Sequence, residues 1–200
     1  MRYATTTISL MRQKRPAKAA PPPHRPTRAA RGRRVPDIVA PHLKILFVGI
    51  NPGLYSGAVG HHFARPGNRF WPALQRAGLT PRLFTSRDER ELLKSGIGIT
   101  NIANRTTAAA SELSKKELVA GGRRLAAKIR RLKPRVVAFL GINAYRTAFG
   151  VRQVHIGLQP DAIGSARIWV LPNPSGLNAH YQLKEFARLF RHLHAAARTK

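Results

Sequence analysis

Residues 45–53 read Ile45-Leu46-Phe47-Val48-Gly49-Ile50-Asn51-Pro52-Gly53. An apolar run this short, closed by glycine, is the pattern of a strand buried on both faces. The turn behind it is shaped by Pro52 and Gly53 and carries one asparagine. A second stretch repeats the plan: Ile168-Trp169-Val170-Leu171 leads into Asn173-Pro174-Ser175-Gly176-Leu177-Asn178. In an open parallel sheet, ligand chemistry collects at the carboxyl ends of the strands.

Outward from these two stretches, apolar runs alternate with amphipathic ones. Lys44–Val48, Gly98–Ile102, Val136–Leu140 and Ile168–Leu171 read as strands. Arg69–Gly78 reads as a helix stopped by glycine, with Pro72 tolerated in its first turn. Ser86–Lys94 reads as a short charged helix. Ser114-Lys115-Lys116-Glu117 is a capping box that opens a helix to about Leu132. Gly121-Gly122 weakens that helix and points to close packing. Ala144–Phe149 and Leu183–His194 complete the helices. Strands separated by helices imply an α/β fold with a parallel sheet covered on both faces.

The chain carries 36 basic against 8 acidic residues, a formal charge of +28. Such a surface attracts polyanions, and nucleic acid is the commonest. No long apolar stretch points to a membrane partner. Residues 1–36 hold Arg, Lys, Pro and Ala with almost no bulky apolar group, and read as a disordered basic arm for non-specific phosphate contact. Residues 37–200 then form one domain. With no cysteine, disulfides, thiolate metal sites and cysteine nucleophiles are excluded. The basic start lacks the apolar core of a secretory signal, so a cytoplasmic protein is expected.

The residue types restrict the chemistry. An asparagine can orient a water or bind a carbonyl, but it cannot take a proton as a carboxylate does. A mechanism built on Asn51 therefore needs a leaving group that departs largely unaided, such as the resonance-stabilised anion of uracil. Phe63, central in Gly60–Asn68, can stack on an extruded base. His61 and His62 are adjacent and lack metal-ligand spacing. Phe70 and Trp71 read as core. The second loop offers backbone amides, a hydroxyl and one apolar side chain, Leu177, suited to wedging between stacked bases.

Taken together these loops resemble the mismatch-specific uracil/thymine DNA glycosylases of the uracil-DNA glycosylase superfamily. The likeness runs from about Val35 to the last helix. It rests on Pro36-Asp37-Ile38, Gly49–Leu54, Gly60–Phe63, Gly67–Trp71, Gly121-Gly122-Arg123 and Leu171–Leu177, in order and in spacing. The resemblance implies a three-layer α/β/α sandwich around a short central parallel sheet. It implies removal of uracil, or a related mismatched or damaged pyrimidine mainly opposite guanine, from double-stranded DNA in base excision repair. It assigns catalysis to Asn51 through a positioned water, and substrate contact to Ile50, Tyr55, Ser56, Phe63 and Asn173. Ser175, Gly176, Leu177 and Asn178 would fill the vacated space and touch the opposite strand. No cofactor, no metal and a monomer are expected.

Three positions depart from the family's pattern. Tyr55 stands where a serine is frequent, Asn101 where some members have lysine, and Ala179 where an arginine is often found. Two other readings compete: a sister branch acting on single strands or oxidised pyrimidines, and a non-enzymatic nucleic-acid binder. Many sister branches begin the second loop with histidine, against which Asn173 argues. The two loops contain no lysine for a Schiff base, so simple hydrolysis without strand cleavage is expected.

Overall fold

The computed structural model describes residues 28–176 and 178–198. The elements are β1 (Ile45–Gly49), α1 (Leu54–Val59), α2 (Phe70–Arg76), β2 (Ile97–Asn101), α3 (Lys115–Leu132), β3 (Val136–Leu140), α4 (Ile142–Phe149), β4 (Gly157–Ile163), β5 (Ala166–Leu171) and α5 (Leu183–Arg198). A 3-10 helix, Ser86–Ser95, occupies the stretch read as a short charged helix.

The five strands lie in the order β2-β1-β3-β5-β4. β2, β1, β3 and β5 are parallel, with Ile45 opposite Ile97 and Val136, and Val137 opposite Ile168. Every residue of β1, β2 and β3 is buried, as continuous apolar runs require in a sheet covered on both faces. Alternate side chains divide the core in two. Ile45, Phe47, Ile99 and Ala138 meet Phe70, Leu74, Phe186 and Phe190 from α2 and α5. Leu46, Val48, Val137 and Phe139 meet Leu125, Ile129, Tyr145 and Ala148 from α3 and α4. This is the expected three-layer α/β/α arrangement.

The capping box forms: Ser114 Oγ accepts from Glu117 N at 3.2 Å, and the Glu117 carboxylate accepts from Ser114 N at 2.9 Å. The paired glycines of α3 serve close packing. A Cβ on Gly121 would sit 2.3 Å from the Ile102 carbonyl oxygen, and one on Gly122 2.5 Å from that of Ala148.

Two elements were not foreseen. β4 pairs antiparallel with β5 at the sheet edge, with a register shift between Leu158 and Ala162. Its mostly exposed residues and Pro160 give no strand pattern, and proline is tolerated there because an edge strand has one unpaired side. α1 has only six residues and no side-chain cap. The boundary of the basic arm also differs. Residues 1–27 lie outside the described residues, whereas 28–36 pack on the domain. Ala30 and Val35 are buried, and the Arg33 carbonyl accepts from both the amide and the hydroxyl of Thr106. Two small apolar groups and a backbone ladder suffice, which composition alone does not reveal.

The sheet order sets the location of the site. From β1 the chain crosses towards β2, and from β3 towards β5. The crevice at this switch point opens at the carboxyl ends of β1 and β3.

Candidate active site

A cleft of about 810 Å³ opens at those carboxyl ends. Gly49 at the end of β1, Ile50–Ser56 after it, Asn101 at the end of β2, Leu140 at the end of β3 and Asn173 after β5 all line it. So do Phe63, Ser175, Asn178 and Thr107. The two sequence loops are thus brought to one cavity although more than a hundred residues separate them.

Asn51 is the most tightly specified polar group there. Its Nδ2 donates to the Pro52 carbonyl at 3.1 Å, the Arg105 carbonyl at 3.1 Å and Thr107 Oγ1 at 2.7 Å. The Thr107 hydroxyl gives its own proton to the Ala109 carbonyl at 2.7 Å, so it can only accept from Asn51. Two carbonyls and one committed hydroxyl can face nitrogen but not oxygen. The amide orientation is therefore forced, and Oδ1 remains as an acceptor. The 105–107 segment is itself held. Arg105 Nε and Nη2 donate to the Glu117 carboxylate at 2.5 and 3.1 Å, and Nη2 also reaches the Glu112 carbonyl at 2.9 Å. Arg105 first, then the Ser114 amide, hold the Glu117 carboxyl down at about 2.

The other expected residues take distinct places. Ile50 is half-buried, and its carbonyl accepts from Ala103 N at 2.9 Å. Phe63 has φ 50° and stacks on Phe70 at 4.1 Å between centroids, which covers one face of its ring. Ser56 is buried, and its hydroxyl accepts from Ala64 N at 3.2 Å, so it ties down the Phe63 loop. Tyr55 is half-buried in the cleft wall. Asn173 Oδ1 accepts from Ser175 N at 3.1 Å, shaping the second loop from within. Asn178 Nδ2 returns to the Asn173 carbonyl at 3.0 Å. Arg69 clamps this loop from outside through Nη1, which donates to the carbonyls of Ser175 and Asn178 at 2.9 and 3.0 Å. Gly176 lies against Gly67, whose carbonyl oxygen would be 2.8 Å from a Cβ there. Leu177 lies outside the described residues. Phe70 and Trp71 are buried, as read.

Sequence reasoning missed a small polar cluster at the cleft floor. His62 is buried, with Nε2 2.9 Å from the Pro36 carbonyl. A carbonyl only accepts, so Nε2 carries the proton and Nδ1 is the acceptor. Asn101 Nδ2 faces that Nδ1 at 3.4 Å, and Asn101 Oδ1 lies against the Gly49 backbone, 2.4 Å from where a Cβ would be. A side chain at position 49 would therefore displace the Asn101 amide. Burial pushes the His62 pKa down, keeping the ring neutral. Glu89 accepts from the His62 amide at 2.8 Å and pairs with His61 Nδ1 at 2.8 Å, turning both histidines into loop anchors. Nothing in the spacing of His61, His62 and Glu89 announces this contact across 27 residues.

Among the residues lining the cleft there is no carboxylate and no lysine, and Arg65 is the one arginine. The cleft can therefore present oriented amides, backbone groups and an aromatic face, with little net charge. Among the described residues no helix is long and apolar enough to cross a membrane.

Comparison with known proteins agrees with this architecture. The solution NMR structure of a "putative Uracil DNA glycosylase" from Methanosarcina acetivorans is similar with a TM-score of 0.51 and 21% sequence identity. The likeness covers 82% of this chain and 98% of that one, and at such identity it speaks for the fold. The family model described as "Uracil DNA glycosylase superfamily" matches residues 36–194, which include both loops and every element that builds the cleft. This chain belongs to the uracil DNA glycosylase superfamily.

Proposed function

We infer that this protein is a monofunctional DNA N-glycosylase that extrudes uracil, or a related mismatched or damaged pyrimidine mainly opposite guanine, from double-stranded DNA. It then hydrolyses the N-glycosidic bond in base excision repair. The observation that carries this reading is the forced orientation of Asn51, with Oδ1 as an acceptor in a cleft lined by no carboxylate. A water that donates to Oδ1 has a lone pair directed away from the amide, towards a sugar seated in the cleft. The water oxygen bonds to the anomeric carbon, and the electron pair of the carbon–nitrogen bond leaves with the base. The water's proton passes to the departing anion or to solvent, since the amide cannot hold it. A uracil anion spreads its charge over two carbonyls, so a neutral cleft suffices.

Phe63 offers its free face to the extruded base, and the Ile50 backbone meets its edge. Asn101 Oδ1, beside Gly49, accepts the imide N–H of uracil, a proton that neutral cytosine lacks at that ring position. Ser175, Gly176, Leu177 and Asn178 follow the base into the stack and face the unpaired guanine. Unstacking costs a few kcal/mol and is cheapest at a mismatch, so extrusion itself favours damaged sites. With no lysine lining the cleft, no Schiff base forms, and the products are a free base and an intact strand with an abasic site.

The test is a panel of duplexes with uracil, thymine or another modified pyrimidine opposite guanine, beside single-stranded uracil. Base release from G·U, with strand breaks only after alkali, is expected. Breaks before alkali would contradict the monofunctional assignment. Faster release from single strands would favour the sister branch, and no release from any substrate would leave a nucleic-acid binder.

A further inference from the structure

A second recess, of about 490 Å³, lies at the opposite end of the sheet. Its floor includes Ile45 and Ile97, the first residues of β1 and β2. Lys44, Arg135, His194 and Arg198 line it, and no acidic residue does. The same end gathers further cations. Lys133 caps α3 beside His42, whose amide reaches the Leu132 carbonyl at 2.7 Å, and Arg130 packs against Gly164 in the β4–β5 turn. Lys44, Lys133, Arg135 and Arg198 are all exposed. Of the acidic residues, Glu117 and Glu185 stand in the first turns of α3 and α5, at the cleft end, whereas Asp161 lies in β4 near the β4–β5 turn.

We propose that this amino-terminal end of the sheet is a second polyanion site, which holds the phosphate backbone of a nucleic-acid segment separate from the one in the cleft. Three observations favour it. Cations at helix carboxyl ends offset the macrodipole, as Arg135 does by donating from Nη1 to the Ala197 carbonyl in the last turn of α5 at 3.2 Å, but Lys44 precedes a strand. Five-residue strands hold the two ends roughly 16 Å apart, and duplex DNA is too stiff to curl from one to the other over so short a path. The exposed large apolar residues among those described are Leu83 and Leu158, and neither lines the recess. A protein partner would need an apolar anchor of that kind, whereas phosphate contacts need cations alone. The molecule then bridges two segments, reading one while gripping another.

The experiment uses the full chain. Beads carrying one undamaged duplex capture a second, fluorescent duplex through the protein. Lys44→Gln/Lys133→Gln/Arg198→Gln should lower capture about tenfold and reduce the log–log salt slope by roughly 0.9 per cation removed. Single-turnover base release from a short G·U duplex should stay within about twofold. The charge-conserving Lys44→Arg/Lys133→Arg/Arg198→Lys protein should retain capture. On the unmodified protein, with the cleft saturated by a short duplex, added DNA should shield Lys44 and Lys133 from acetylation. Unchanged capture in the neutralised protein, or unshielded lysines, would overturn the proposal and leave residues 1–27 as the bridging element. Polyglutamate competing as well as DNA at equal ionic strength would also overturn it, in favour of an acidic polypeptide. Capture and base release are separate readouts, so the glycosylase reading and the bridging site can fail independently.

Discussion

The two ends of the sheet differ in kind. At the carboxyl end, oriented amides and backbone carbonyls surround a cleft with one arginine in its lining. At the amino end, lysine and arginine crowd a recess with no acidic lining. The helices explain part of the contrast. α3, α4 and α5 each follow a strand and run back along the sheet, so their amino termini lie at the cleft end. Glu117 and Glu185 stand in the first turns of α3 and α5 and offset the partial positive charge of those termini, so the cleft end gains little net charge from its helices. The general lesson is a division of labour. Bond cleavage wants dipoles held in fixed directions, whereas affinity for a polyanion wants net charge, which works at a distance and can sit elsewhere.

Breaking the contrast at its strongest point means removing the oriented amide. Asn51→Ala should lower single-turnover base release at least about a hundredfold, the scale of losing one preorganised polar group. Its affinity for DNA, and the salt dependence of that affinity, should stay near wild type in a fluorescence titration. A parallel collapse of affinity would mean that the cleft, not the charged surface, holds the DNA.

Next in size is the coupling between ends. α3 runs the full height of the sheet and touches Ile102 at Gly121. Gly121→Ala gains helix propensity of about 1 kcal/mol but drives a Cβ into a backbone oxygen. A net loss of about 1–3 kcal/mol in urea unfolding is expected. A neutral result would show that α3 shifts without consequence for either end.

A finer test concerns how the amide is aimed. Thr107→Val keeps the shape but removes the hydroxyl that accepts from Asn51. Losing one hydrogen bond of about 1 kcal/mol should lower kcat roughly fivefold with KM unchanged. A KM effect alone would make Thr107 a binding group.

The smallest effect tests the outer brace. The Glu117 carboxyl lies at about 2, below its ordinary 4.5, with Arg105 as the first cause. Above about pH 4.5 it is ionised both folded and unfolded, and its contribution is complete. That contribution fades as pH falls towards about 2, because the unfolded chain takes up the proton first. The pair is exposed, so salt weakens it. In a melting-temperature profile from pH 5 to 2, Glu117→Gln should show a shallower acid loss than wild type. Superimposable profiles would mean that the Arg105 brace adds nothing to stability.

Much of the fold was legible because its core strands are unbroken apolar runs. Val136–Leu140 agrees residue for residue, and the capping box at Ser114 opens α3 where read. β4 was not legible, since an exposed edge strand with proline and a bulge lacks any periodicity. Within the site, Asn51 was singled out by its place behind a strand. The contacts that aim it come from Arg105 and Thr107, more than fifty residues away. His62 read as a plain loop residue and is a buried anchor on Pro36 and Glu89.

The sequence alone determined which segments are strands, which loops follow them, and that the chemistry must work through a carboxamide, because these follow from local patterns and residue types. Tertiary structure alone decided that the loops share one cleft, which way the Asn51 amide faces, and that Lys44, Arg135 and Arg198 meet at the far end. Those facts depend on contacts between distant residues, and a hydrogen-bond partner or a neighbouring charge leaves no mark in the spacing of either residue.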